Sequence, residues 1–104
     1  MTTVDVCIKR ADGSESFSLH NGLFGAATTV LHALISKFQD GTISGPWHSS
    51  CIDTTVKGTI VRSVLADVSE LDPPWHPPGD WARLAAFREA IDDDADYAVK
   101  AIEV

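Results

Sequence analysis

An apolar residue recurs every three or four positions from Val56 to Leu71, and the pattern stops against Asp72-Pro73-Pro74. Val56, Ile60, Val61, Val64, Leu65, Val68 and Leu71 make one stripe of a helix that Asp53 can cap. The β-branched residues in this run argue for a strand, because they lose side-chain freedom in a helix. Strict alternation fails at Ile60-Val61 and Val64-Leu65, however, so the spacing predicts one helix over residues 53–71. The prolines end it, since they cannot continue the helical hydrogen bonding.

A helix with one apolar stripe needs a second layer to cover it. Val4, Val6 and Ile8 alternate with Thr3, Asp5, Cys7 and Lys9, the period of a strand with one buried face. Asp12-Gly13 supplies a tight turn, and Phe17 and Leu19 continue the alternation with Ser14, Ser16 and Ser18 opposite. Residues 2–19 are therefore expected to form a β-hairpin. Leu23, Ala27, Val30, Leu31, Leu34, Ile35 and Phe38 predict a helix over residues 23–39, which Gly41 can terminate.

A third helix is expected over residues 80–91, with Asp80 as its cap. Asp92-Asp93-Asp94 should stop it, because the C-terminal end of a helix prefers cations. Residues 97–104 carry apolar side chains on both alternating faces, as a central strand does. The expected fold is α+β: an N-terminal hairpin, about three helices packed on one face, and a C-terminal strand completing a small antiparallel sheet.

A chain of 104 residues, 44% of them apolar, is expected to be a single domain, 1–104, with a real core. No apolar run is long enough to cross a bilayer, and Met1-Thr2-Thr3-Val4-Asp5 lacks the features of an export signal. The expected location is cytoplasmic, where Cys7 and Cys51 would be reduced, small, half-buried residues. The net charge is −7. Residues 1–71 hold five basic and seven acidic side chains, whereas residues 72–104 hold three and eight. That balance repels phosphate backbones and argues against direct nucleic-acid binding, and it favours a protein partner with a basic surface.

Pro-Trp-His occurs twice, at residues 46–48 and 74–76, on either side of the stripe. Two tryptophans in proline-bearing loops either fold back on the core or meet a partner. The denser stretch contains Trp75 and His76, with Trp81 close behind. Together with Glu89, Asp92, Asp93, Asp94 and Asp96 it forms the expected partner-binding surface, with Trp47 and His48 as a secondary patch.

Three chemistries are weighed and set aside. His48, Cys51 and His76 could contribute to a zinc site, but a helix over residues 53–71 would place His76 roughly 28 Å from the loop that holds His48 and Cys51. Cys51 before a helix N-terminus would have a stabilised thiolate beside His48, but no orienting group is evident. Asp92, Asp94, Asp96 and Glu103 match four ligand positions of a calcium loop, but Tyr97 stands where that loop needs glycine. No cofactor, metal or catalytic residue is therefore expected. The expectation is a small acidic, non-enzymatic protein-binding module, a stoichiometric inhibitor of the antitoxin, immunity or phage-encoded kind. The alternatives are a subunit that self-assembles, as a homodimer for example, through its C-terminal strand, and a small cysteine-dependent enzyme.

Overall fold

The computed structural model describes residues 3–22, 25–70 and 78–104. Its elements run β1 (Thr3–Arg10), β2 (Ser16–Gly22), α1 (Ala26–Gln39), β3 (Cys51–Lys57), α2 (Gly58–Glu70), α3 (Pro78–Ala90) and β4 (Asp96–Glu103). The strands form one antiparallel sheet in the order β2-β1-β4-β3. Three helices and a four-stranded sheet make the α+β architecture that the alternation and spacing imply.

Alternation decides which face of the sheet is covered. Val4, Val6, Ile8, Phe17, Leu19, Ile52, Val56, Tyr97, Val99 and Ala101 are buried against the helices. The helices answer with Val30, Leu31, Leu34, Phe38, Val61, Val64, Leu65, Val68, Leu84 and Phe87. Removing so much apolar surface from water is the main stabilising contribution, at about 25 cal/mol per Å². Phe87 stacks on Phe17 at 5.2 Å and meets Tyr97 edge-on at 6.3 Å, which fastens α3 to the middle of the sheet.

The hairpin turns at Gly13, whose φ of +79° suits glycine. Helix α1 takes its cap from a strand. The Asn21 side-chain oxygen accepts the Ala27 N–H at 2.9 Å, while its amide donates to Asp80 at 3.0 Å.

The largest departure from the expected elements is a strand, β3, where the start of the second helix was expected. Residues 51–57 are strand β3, and α2 begins at Gly58. Ile52, Thr54 and Val56 point inward from the strand, and Val56 stands four residues before Ile60. The inward face of the strand therefore runs on in helical period across the junction, which is why one stripe spans two elements. The β-branched run at residues 54–56 was the strand signal. The third helix starts slightly earlier than its spacing implies, and Leu71 lies outside the described residues.

β4 lies between β1 and β3, the central position expected of it, but only its Tyr97, Val99 and Ala101 face is buried, while Ala98 and Lys100 are exposed on the other. Both of its edges are thereby occupied. Self-assembly through an exposed C-terminal strand is corrected on this point, because the edges of the sheet are β2 and β3.

Candidate functional site

The acidic run forms the turn between α3 and β4. Asp92 organises it: its carboxylate accepts the Asp94 N–H at 3.0 Å and its carbonyl accepts the Ala95 N–H at 3.1 Å. Its own N–H donates to the hydroxyl of buried Tyr97 at 3.0 Å. The turn also closes against the strand-to-helix junction, through Gly58 N–H to Ala95 O at 2.9 Å and Thr59 N–H to Asp93 O at 3.4 Å.

Three cations hold the carboxylates. Arg10 reaches Asp92 at 3.1 Å, Asp12 at 3.1 Å and Glu15 at 3.9 Å. Arg62 reaches Asp93 at 2.9 Å and Lys57 reaches Asp96 at 2.9 Å. The fold thus gathers Asp12, Glu15, Asp92, Asp93, Asp94 and Asp96 around Arg10, Lys57 and Arg62. Six carboxylates against three cations leave a surplus of three negative charges at this end. Asp94 is exposed and joins no ion pair among the described residues. A hydrogen bond from the Ser14 hydroxyl, the Ser14 N–H and the nearby Arg10 charge hold the Asp12 carboxyl below its ordinary range.

Arg62 also donates to the carbonyls of Arg88 at 3.0 Å and Ile91 at 2.5 Å, covering the C-terminal end of α3 with the charge that end favours. None of these cations figured in the sequence reading. Arg10 and Arg62 lie 82 and 31 residues from their aspartates, and only the fold relates them.

The other expected surface residues do not all join this end. Glu89 is exposed within a turn of it. Trp81 is half-buried against the core near the start of α3, about 15 Å away at the helical rise. Trp75 and His76 lie outside the described residues. Trp47, 40% exposed, lies against Phe38 with ring centroids 6.1 Å apart. His48 accepts the Ser50 N–H at 3.1 Å and contacts the Ser50 hydroxyl at 2.8 Å through the same nitrogen.

Cys51 and His48 do face one groove, with Pro46, Trp47 and Asp53. Cys51 opens a strand, so the helix N-terminus that would stabilise its thiolate is not beside it. The calcium reading is excluded by the same kind of fact. Asp96–Glu103 is extended strand, and seven residues at about 3.3 Å each carry Glu103 far from Asp96. Among the described residues no group of three His, Cys, Asp or Glu side chains is placed to hold a metal ion.

No described helix covers the far face of the sheet, which carries Asp5, Cys7, Ser18, His20, Asp53, Lys100 and Ile102. Cys7 and Cys51 are both exposed there, not half-buried as their apolar character suggests. A groove of about 510 Å³ runs across this face to the edge of β2, lined by Asp5, Cys7, His20, Arg83 and Lys100 among others. His20 pairs with Asp5 across the hairpin, and Cys7 stands opposite Ser18 on one side and Lys100 on the other. The hairpin register was the signal for this juxtaposition, because a tight turn fixes which residues oppose each other.

No described helix is long and apolar enough to cross a membrane. Comparison with protein-family models, with curated proteins and with solved structures returns no match for this chain.

Proposed function

We propose that the chain is a small acidic protein-binding module that works stoichiometrically, by covering a basic surface of its partner. The observation that carries this reading is the end of the molecule built by the β1–β2 and α3–β4 turns. It keeps three surplus negative charges after its internal ion pairs are made, and those pairs fix the remaining carboxylate oxygens in place. A fixed array of one sign raises the rate of encounter with an opposite surface and sets its register. Little side-chain freedom is then lost on binding. An inhibitor of the antitoxin, immunity or phage-encoded type would use such an end to occupy a groove that its target keeps for nucleic acid.

Asp94 and Glu89 carry this contact. They are exposed and belong to no internal ion pair among the described residues, so replacing them leaves the fold intact. The test is affinity capture from the native host's lysate with the natural chain and with the Asp94→Asn/Glu89→Gln double variant, at low and high salt. A basic protein retained at low salt, lost at high salt and weakened by the double substitution supports the reading. Capture unaffected by both salt and substitution removes it.

A further inference from the structure

The edges of the sheet are covered differently. In β2 the backbone groups of Ser16, Ser18, His20 and Gly22 point away from the sheet, and the carbonyls of Ser18 and Gly22 are occupied. Arg83 donates to Ser18 O at 2.6 Å and Gly25 N–H to Gly22 O at 3.0 Å.

In β3 the hydrogen bonds from Glu103 N–H to Ser50 O and from Gly58 N–H to Ala95 O fix the ladder. Even-numbered residues of β3 bond to β4, and odd-numbered ones point outward. Cys51 N–H turns back to His48 O at 3.2 Å. The N–H and C=O of Asp53 and Thr55 and the N–H of Lys57 meet no partner among the described residues. The preceding loop turns back beside the start of the strand, where His48 bridges Cys51 and shares a groove with Asp53, so the open stretch runs from Asp53 to Lys57.

An open edge is a template for another strand. The side chains on it, Asp53, Thr55 and Lys57, all face the uncovered side of the sheet and are all exposed. Their order is self-complementary about the middle residue. We propose that two copies of this chain join their β3 edges, antiparallel about a two-fold axis at Thr55, into one continuous eight-stranded sheet.

The charges select that register. An axis at Asp53 or at Lys57 sets like charges face to face. An axis at Thr54 or Val56 sets each charge against an uncharged residue. The axis at Thr55 sets Asp53 against Lys57 of the second copy, twice, and Thr55 against itself. The two Thr55 residues exchange both of their backbone hydrogen bonds, and each Lys57 N–H donates to the opposite Asp53 carbonyl, four new bonds in all. Lys57 keeps Asp96 as a neighbour, so it sits between two carboxylates in the pair. The contact is isologous and closes at two copies, with both helical layers on the same side. It shares Lys57 with the acidic end, but it does not depend on that reading.

Sedimentation of the full chain over a concentration series tests this. The expected result is a monomer–dimer equilibrium with a dissociation constant on the order of tens of micromolar, as a small interface gives. Asp53→Lys sets lysine against lysine twice, and Lys57→Asp sets aspartate against aspartate twice. Each should raise the dissociation constant at least about tenfold, and the double exchange should restore it. In a Cys7→Ser/Cys51→Ser background, Thr55→Cys should form an intermolecular disulfide on oxidation, because directly opposed residues of this kind lie about 5.5 Å apart. Ser44→Cys, an exposed site off the edge, should not. A chain that stays monomeric at millimolar concentration overturns the proposal. So does a dimer whose affinity ignores Asp53→Lys, or a double exchange no tighter than the single ones.

Discussion

A Cβ built on Gly58 would stand 1.9 Å from the carbonyl oxygen of Asp92 and 2.8 Å from its carbonyl carbon. The junction between β3 and α2 and the turn before β4 therefore touch backbone to backbone. A methyl group there cannot be accommodated by turning a side chain aside; the turn itself must move, with loss of the Gly58–Ala95 hydrogen bond. We expect Gly58→Ala to cost about 3 kcal/mol or more, at the upper end of overpacking effects. Urea unfolding measures it, and an unchanged midpoint would show that the turn is free to shift.

Gly58 also marks where the sequence stopped being legible. Period-2 alternation at residues 3–9 and 16–19 and period-3.6 spacing after Ala26 each announce their element, because each segment keeps one period throughout. Residues 52–68 change period in the middle without interrupting the inward stripe, and no proline or loop marks the change. The glycine at the junction was the local clue. The acidic run was legible as charge but not as structure, since Arg10, Lys57 and Arg62 reach it only through the registers of β1 and β3 with β4 and the packing of α2 against α3. The open sheet face was hidden for a related reason: alternation shows that one face is buried, not that the other stays uncovered.

Arg62 binds three groups at once: the Asp93 carboxylate and the carbonyls of Arg88 and Ile91. The carboxylate is half-exposed and contributes little, but the carbonyls end a helix and have a cation across them. Hydrogen bonds from a charged donor are worth more than neutral ones. Arg62→Ala is expected to destabilise by about 2 kcal/mol, and Asp93→Asn by less than about 1 kcal/mol. Thermal unfolding of the two variants side by side distinguishes them. Equal losses would show that the ion pair, not the helix end, is what Arg62 stabilises.

The Asp12 carboxyl titrates below its ordinary range chiefly because the Ser14 hydroxyl donates to it at 2.6 Å, with the Ser14 N–H second. A carboxyl whose folded value is depressed stabilises the fold above its unfolded value, and that contribution is lost as pH falls through the folded one. The turn should therefore loosen only in acid, below the usual aspartate range. Ser14→Ala removes the largest cause and should move the Asp12 midpoint upward, leaving the backbone N–H at residue 14 and the smaller effect of Arg10. Carboxyl-carbon NMR titration reads this directly, and a midpoint that does not rise would assign the shift to another group.

Cys7 and Cys51 share the uncovered face, but β4 lies between their strands. Two strand spacings separate them by at least about 9.5 Å, and the register adds an offset, since Cys7 opposes Lys100 while Cys51 opposes Ile102. A disulfide needs its α-carbons within about 7 Å. Oxidation of dilute protein is therefore expected to leave the monomer without an internal bridge. Both thiols should react with a maleimide in the native state, because both are exposed. Intact-mass measurement under non-reducing conditions decides the matter. Two maleimide additions per chain fit the sheet as described, whereas a species two daltons lighter that takes up none would require β4 to leave its place between β1 and β3.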